Sequence, residues 1–166
     1  MDVAYLKLRI DIKAEYKQYR KQYEYAKKEI KKDEIKNIFD SFKEFFKRDG
    51  SFKFKENEHS VTAEYKDHAI VLDVDVYKNL DNTDFIIEGD IETFEGETFE
   101  FLVSAVCSKE EPEVSADFES DEQDKMLHAT AYYKDFLDEK IIYQFNYTIK
   151  GREQEFNTMQ ELMLAL

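Results

Sequence analysis

Histidine, cysteine and closely spaced carboxylates are the residues of this chain that could do chemistry. The three histidines, His59, His68 and His128, lie too far apart for a metal-binding spacing such as His-Glu-x-x-His. Cys107 ends an alternating apolar run, which predicts a buried and unreactive thiol. No glycine-rich phosphate loop and no nucleophilic serine motif occurs in the sequence. We therefore predict no catalytic residue, no cofactor and no metal, and a protein that is not an enzyme.

Asp73 and Asp75 are two carboxylates whose spacing could bring them together. Residues two apart share one face of a strand, so this pair could hold a hard cation. The same spacing arises in any acidic amphipathic strand, and we interpret it in that way. The nearby Asp81 and Asp84 lack the glycine and distal glutamate of a calcium loop, so this segment predicts a turn.

The composition limits which class of function is open to the chain. Its 166 residues are 42% hydrophobic and 15% aromatic, which is enough to form a sizeable core. With 24 basic and 38 acidic residues, the formal net charge is −14. A DNA-binding domain is usually basic, so the composition argues against nucleic acid as a partner. Residues 1–55 hold 16 basic and 10 acidic side chains, whereas residues 56–166 hold 8 basic and 28 acidic.

Hydrophobic periodicity in the first 50 residues predicts one strand followed by two helices. Residues 4–13 alternate apolar and polar side chains, which predicts a half-buried strand. A helical spacing of three and four then appears in two stripes. The first stripe is Tyr16, Tyr19, Tyr23, Ala26 and Ile30; the second is Ile35, Ile38, Phe39, Phe42, Phe45 and Phe46. Because the two stripes are out of phase, we expect a break near residues 32–33, where Asp33 would cap the second helix.

The remaining sequence predicts a sheet and then a short helical region. Residues 51–107 alternate with short connections, at 79–82 and 95–97 among others, and predict an antiparallel meander of about five strands. An acidic loop occupies 108–124. Ser120 and Gln123 form a capping-box pattern that opens a helix burying six apolar residues. Those six residues are Met126, Leu127, Ala129, Tyr133, Phe136 and Leu137. A strand at 141–149 and a second capping box at Thr158 and Glu161 complete the chain.

Taken together, the elements predict an α+β fold of one domain spanning residues 1–166. In that fold an antiparallel meander carries helices on one face, in the order β-α-α-β5-α-β-α. Its segments are 1–50, with a strand and two helices, the meander 51–107, the acidic loop 108–124, and 125–166, with helix, strand and short helix. The start of the chain has no signal-peptide pattern, and no window is apolar enough to span a membrane. With its single cysteine, the chain is expected to be cytoplasmic.

A line of lysines on the first predicted helix allows two interpretations. Lys17, Lys21, Lys28 and Lys32 surround Tyr25, which could make a phosphate-binding stripe with an interleaved aromatic. The simpler interpretation is a solvated helix face whose charge offsets the acidic sheet, because glutamates interrupt the basic run.

The second half of the chain resembles the SecB-like export chaperones. The resemblance is carried by the strand-like segments 71–76, 85–94 and 99–106, the turn 95–97, the helix 120–137, and a last short helix around Phe156, Asn157, Glu161 and Leu162. It implies a non-enzymatic polypeptide-binding surface. The order of elements is also similar to the helix-grip fold, and that analogy implies an apolar pocket for a small molecule.

The acidic face of the predicted sheet is the candidate partner-binding surface. Acidic charge would speed the encounter with a partner, and exposed apolar side chains would hold it. The candidate contacts are Asp73, Asp75, Tyr77, Ile86, Glu88, Asp90, Glu92 and Phe94. We predict a protein-binding module with chaperone-like capture of basic or unfolded polypeptide. The alternatives are an acidic inhibitor of one basic toxin or nuclease, and a helix-grip small-molecule binder. Because an unpaired strand at 4–12 would promote association, a homo-oligomer is also expected.

Overall fold

The structure is a computed structural model that describes residues 1–114 and 122–166 of the chain. The elements of these residues are four helices and seven strands. The helices are α1 (Val3–Lys47), α2 (Val76–Asp81), α3 (Glu122–Leu137) and α4 (Met159–Leu164). The strands are β1 (Lys53–Glu56), β2 (Ser60–Tyr65), β3 (His68–Asp73), β4 (Ile86–Glu92), β5 (Thr98–Cys107), β6 (Tyr143–Ile149) and β7 (Glu155–Phe156).

The predicted α+β fold with an antiparallel sheet is confirmed. The seven strands pair in chain order, so each strand lies beside its sequence neighbours. The pairs β1–β2, β2–β3, β3–β4, β4–β5 and β6–β7 are antiparallel. Short connections join β1 to β2, β2 to β3 and β4 to β5, whereas the connections β3–β4 and β5–β6 contain the helices α2 and α3. Alternating apolar residues give strands β2 to β5 one buried face.

The chain forms two compact units. The helical unit comprises Met1–Lys27 and Cys107–Tyr143, and the sheet unit comprises Lys28–Val106 and Gln144–Leu166. That the chain folds as one domain stays a prediction.

The prediction of a strand at residues 4–13 is wrong, because these residues form the first turns of α1. The Asp2 carboxylate accepts hydrogen bonds from the backbone N–H groups of Ala4 (2.9 Å) and Tyr5 (3.3 Å), which caps the helix. Among the alternating apolar residues, Ala4, Leu8 and Ile12 also fall four residues apart, which is a helical spacing. Extending an existing helix by a turn is easier than starting a strand, so the helical spacing prevails.

The predicted break at residues 32–33 is also wrong. Helix α1 continues through Lys32 and Asp33, both of which are exposed, so Asp33 caps nothing. The buried positions of α1 in fact keep one phase here, because Lys27 and Lys31 are buried and lie at steps of four between Tyr23 and Ile35. The apolar residues alone do not show this continuity, since two of the buried positions are lysines. Tyr16 and Tyr23 pack on α3 in the helical unit, and Ile38 and Phe42 lie in the core of the sheet unit.

Aromatic side chains form the centre of the helical unit. The ring of Tyr23 lies 4.7 Å from that of Tyr133 and 4.9 Å from that of Phe136, measured between ring centroids. The Tyr23 hydroxyl donates to Oε2 of Glu111 at 3.1 Å. Burial is the main cause that raises the pKa of Tyr23, so this phenol stays protonated and acts as a donor.

Three smaller predictions have mixed outcomes. A short helix, α2, occupies most of the segment predicted as a turn at 79–82, because Asp75 caps it. In α3, Leu127 is exposed rather than buried. The second capping box is confirmed, since the Thr158 hydroxyl accepts from the backbone N–H of Glu161 at 3.2 Å. The predicted cap at Ser120 lies outside the described residues.

Candidate functional site

The exposed face of strands β3, β4 and β5 carries most of the predicted site residues. Leu72, Ile87 and Phe101 point into the core of the sheet unit and are buried. Because side chains alternate along a strand, Asp73, Glu88, Asp90, Glu100 and Leu102 lie on the opposite face. This is the acidic face that the sequence predicted.

Three carboxylates lie side by side across this face. Asp73 of β3 is directly opposite Asp90 of β4, and Asp90 is directly opposite Glu100 of β5. Neighbouring strands are about 4.8 Å apart, so each carboxylate is placed next to another of the same charge. We call Asp73, Asp90 and Glu100 the carboxylate row. Like charges directly opposite each other destabilise a sheet, so this arrangement has a cost in folding stability.

The carboxylate row lies in a depression of about 460 Å³ in the sheet unit. Two further carboxylates, those of Asp75 and Glu88, line it, together with the ammonium groups of Lys78 and Lys150. Leu102 contributes apolar surface. We call this feature the acidic depression. It therefore combines five acidic groups, two basic groups and an apolar part.

Asp90, at the centre of the row, has a raised pKa. Partial burial is the largest cause, followed by the negative charges of Asp73, Glu100 and Glu92. Each cause disfavours the charged form of the carboxylate. A cation bound in the depression would oppose all of the charge repulsion at once.

The two lysines neutralise only part of the row. Lys150 Nζ lies 2.5 Å from Oε2 of Glu100, and this hydrogen bond is the main cause that raises the pKa of Lys150. Lys78 Nζ lies 4.0 Å from Oε2 of Glu88. Within residues 1–114 and 122–166, no ion pair involves the side chains of Asp73 or Asp90. Two adjacent carboxylates thus lack a paired cation among these residues.

Buried polar contacts fix the helix at one side of the depression. Asp75 Oδ1 accepts from the backbone N–H of Lys78 at 3.1 Å and caps α2. The side-chain amide of Asn79 donates to the carbonyls of Asp75 (2.8 Å) and Glu88 (3.0 Å), and its oxygen accepts from the Glu88 N–H at 2.8 Å. Sequence reasoning missed Asn79, because nothing in a turn-like segment indicates that its amide bridges α2 and β4.

Lys31 of α1 holds the connection between α2 and β4. Its ammonium group is buried and donates to the carbonyl oxygens of Asn79 (2.5 Å), Asn82 (3.3 Å) and Asp84 (3.1 Å). This segment is therefore anchored at both Asn79 and Lys31, so the wall of the depression is preorganised rather than loose.

Gly89 lets strands β3, β4 and β5 approach closely beneath the depression. A Cβ atom at this position would lie 2.5 Å from Cζ of Phe101 and 2.9 Å from the carbonyl oxygen of Asp73. Phe101 is directly opposite on β5 and is buried. The glycine in an otherwise alternating strand indicates such a close approach.

The remaining predicted contacts do not converge on the depression. Tyr77 follows the end of β3 on α2, where its hydroxyl donates to Glu58 and its ring packs on His59. Phe94 follows the end of β4, at the opposite end of this antiparallel pair, and packs on His68 with centroids 5.5 Å apart. Glu92 lies on the exposed face of β4, toward this same end.

Ile86 belongs to an apolar margin beside the acidic groups. Ile86 on β4 and Leu102 on β5 are both partly exposed, and the register places them diagonally across the strand pair. Val106, further along β5, is also exposed. Sequence reasoning missed Leu102 and Val106, although the alternation of residues 98–106 already assigns both to the wet face.

The remaining groups that could do chemistry include His59 and Cys107. His59 Nδ1 accepts from the backbone N–H of Val76 at 3.1 Å. Cys107 is half-buried. No group of three or more His, Cys, Asp or Glu side chains is arranged for a metal ion in the part of the chain that the structure describes. In that same part, none of the helices is both long and apolar enough to cross a membrane.

The lysine stripe remains an exposed surface of α1. Lys17, Lys21, Lys28 and Lys32 are exposed, as is Tyr25 between them. Their positions fit both interpretations of the stripe, so its role stays a prediction.

Comparisons of the chain with protein-family models, curated proteins and solved structures found no match. The resemblance to SecB-like chaperones therefore stays a prediction.

Proposed function

We propose that this chain is a non-catalytic protein-binding module that holds a basic polypeptide segment in the acidic depression. The observation that carries the proposal is the carboxylate row, in which Asp73, Asp90 and Glu100 lie directly opposite one another on three strands. Folding stability alone disfavours that arrangement. Arrangements of this kind tend to be kept where function requires them.

The dimensions of the depression suit a lysine or arginine side chain. Its volume, about 460 Å³, lies within the range of sites that enclose small ligands. The cationic end of such a side chain would lie against Asp73 and Asp90, and its methylene groups would pack on Leu102. Because the carboxylates are spread along a row, successive basic residues of an extended segment could each find an acidic group.

The charge of the chain supports the same partner chemistry. Residues 56–166 contain 28 acidic and 8 basic side chains. A surface of one sign attracts oppositely charged chains over several ångströms and raises the rate of encounter. The partner is therefore expected to be basic over the segment that binds.

Two forms of this function use the same site. In chaperone-like capture, many basic or unfolded chains bind in turn; in inhibition, one folded basic toxin or nuclease binds. The resemblance to SecB-like proteins favours the first form. The small-molecule alternative stays a prediction.

Peptide binding tests the site directly. Labelled oligolysine and oligoarginine peptides are titrated with the protein, and binding is followed by fluorescence anisotropy. The test variant is Asp73→Asn/Asp90→Asn/Glu100→Gln. The matched control is Asp67→Asn/Glu95→Gln/Glu97→Gln, which removes the same charge from exposed turn residues outside the depression. We expect the test variant to bind at least about tenfold more weakly, and the control to change affinity by less than about twofold.

Equal weakening in both variants would assign binding to net charge alone and would contradict the proposed site. Oligoglutamate serves as the negative peptide.

To separate the two forms of the function, the tagged protein is used to capture partners from cell lysate at low and high salt. One dominant basic protein released by salt would indicate an inhibitor, and a broad set of unfolded chains would indicate a chaperone.

A further inference from the structure

The turn that follows α1 places an aspartate, Asp49, directly before a glycine, Gly50. The chain has four glycines, and the other three follow Glu88, Glu95 and Lys150. No asparagine of the sequence precedes a glycine. This is therefore the single place in the chain where the side chain of an aspartate or asparagine stands next to the unsubstituted backbone of a glycine.

An aspartate in this position can react with the backbone that follows it. The glycine nitrogen attacks Cγ of the aspartate, an N–Cγ bond forms, and the amide proton and a carboxyl oxygen leave as water. The product is a five-membered succinimide. Water then reopens the ring. If the N–Cγ bond breaks, aspartate returns; if the bond to the backbone carbonyl carbon breaks, the product is isoaspartate, whose chain runs through the former side chain. Glycine has no Cβ to obstruct the ring.

Both reacting groups are accessible at this turn. Asp49 and Gly50 are exposed. Within the described ranges 1–114 and 122–166, no hydrogen bond or ion pair holds the Asp49 carboxylate, and the Gly50 N–H has no acceptor. The Asp49 N–H donates to the carbonyl of Phe46 at 3.3 Å, which restrains the end of the helix and leaves the Asp49–Gly50 peptide group unbonded. The nucleophile and the carboxyl group are thus not committed to other contacts.

The surroundings of Gly50 also leave room for ring closure. Its φ is 81°, in the left-handed region that glycine enters without steric cost. A Cβ atom at this position would meet no other atom within 4 Å, so nothing encloses the turn. Helix α1 ends at Lys47, and its hydrogen bonds therefore do not fix the peptide group that reacts.

Asp40 and Ser41 provide an internal comparison, because serine is also small. This pair lies inside α1, where the Ser41 N–H is held by the helix. The Asp40 carboxylate lies 3.5 Å from Nζ of Lys43. Cyclisation at Asp40 would require the helix to open locally, which costs free energy.

We propose that Asp49 is a modification site, at which the folded chain converts aspartate to isoaspartate through a succinimide formed with Gly50. The conversion adds one atom to the backbone between α1 and β1 and attaches the carboxylate directly to Cα. It leaves the formal charge unchanged. The site lies outside the acidic depression and does not depend on the function proposed for it.

Ageing of the folded protein tests this site. The chain is kept at physiological temperature and mildly acidic pH, samples are digested after glutamate, and peptides 35–44 and 45–56 are analysed by electron-transfer mass spectrometry, which distinguishes isoaspartate from aspartate. Isoaspartate should accumulate at Asp49 at least about tenfold faster than at Asp40. The intact mass should show a fraction that has lost one water. Gly50→Ala should slow the reaction at least about tenfold, because the Cβ atom obstructs the ring.

The variant Ser41→Gly separates the effect of structure from that of sequence, because it creates the same pair of residues inside α1. Its Asp40 should form isoaspartate at most about one tenth as fast as Asp49 does in the same chain. Equal rates at the two positions would overturn the role assigned to the exposed turn. Urea-unfolded wild type shows that the assay detects the product. If only the unfolded chain forms isoaspartate, the folded turn keeps the two groups apart and the proposal is wrong.

Discussion

Lys31 is a buried residue of a type that is usually exposed. Its ammonium group is buried in the sheet unit and donates to three backbone carbonyls, those of Asn79, Asn82 and Asp84. These carbonyls lie at the end of α2 and in the connection to β4. The lysine thus ties the end of this helix to the connection that follows it.

Replacing Lys31 by methionine should lower the free energy of unfolding by about 2 kcal/mol, because the carbonyls lose their donor while the apolar stem is kept. Urea denaturation followed by circular dichroism measures the change. Lys32→Met is the matched control, since Lys32 is the exposed neighbour and should change stability by less than about 0.5 kcal/mol. Equal effects of the two substitutions would contradict the role assigned to the Lys31 ammonium.

Asp90 shows a conflict between stability and the proposed function at a single position. Its pKa is higher in the folded protein than its ordinary value of 3.8, first because of burial and then because of Asp73 and Glu100. Between the two values the native state binds more protons than the unfolded state, so stability falls as pH rises. The penalty is complete above the folded pKa and disappears as pH falls toward the ordinary value.

Asp90→Asn should therefore stabilise the protein at neutral pH, by about 0.5 kcal/mol for a like-charge pair across strands. The gain should shrink as pH is lowered through the raised pKa, and denaturation at a series of pH values measures it. Asp67→Asn removes the same charge from an exposed turn and should give no such trend. The same Asp90→Asn variant should bind basic peptides more weakly. A variant both less stable and unchanged in binding would count against the carboxylate row.

At the scale of elements, α1 shows how one helix can contain two hydrophobic stripes. Its 45 residues pack through Tyr16 and Tyr23 in the helical unit, and through Ile38 and Phe42 in the sheet unit. The apparent change of phase arises because lysines occupy the two buried positions between the stripes, Lys27 and Lys31. With these included, the buried residues follow one another at steps of three and four from Tyr23 to Phe46, so nothing interrupts the helix.

The continuity of α1 predicts the effect of glycine at Lys32. Lys32→Gly should be about 1 kcal/mol less stable than Lys32→Ala, because Lys32 is exposed in a helix interior. Lys66 provides the opposite control, since its φ of 53° favours glycine over alanine. Urea denaturation of the four variants gives both differences. If glycine and alanine were equivalent at Lys32, a break at that point would be indicated.

The other elements could be predicted where the sequence pattern that specifies them lies within a few neighbouring residues. Strands β2 to β5 have alternating apolar residues, and α4 is capped by the Thr158 hydroxyl, which accepts from the Glu161 N–H. The helix α2 depends on the Asp75 cap and on the bridging amide of Asn79, which contacts a strand nine residues away. The two-residue strand β7 is too short to show any period.

At the scale of the whole molecule, the division of charge is the main guide to partners. The basic excess lies in residues 1–55 and the acidic excess in residues 56–166. Charge attraction between exposed groups is screened over about 10 Å at 0.1 M salt. Binding of basic peptides by the acidic depression should thus weaken as salt increases.

Three features follow from the sequence alone: the fold class, the meander and the acidic exposed face. Each depends on composition or on the alternation of neighbouring residues, and these act over a few positions of the chain. Asp73, Glu88 and Asp90 could be named as candidate contacts for that reason, whereas Asp75 follows β3 and caps α2. Ile86 could be placed on the same face by its position in the alternation.

Tertiary structure decided the features that depend on which element packs against which. It made residues 4–13 the start of a helix, separated Tyr77 and Phe94, and buried Lys31 against carbonyls 48 residues or more away in the chain. It also set the register that aligns Asp73, Asp90 and Glu100. Periodicity in a sequence shows that a face is buried or exposed, but not what lies opposite it, because that depends on contacts between distant residues.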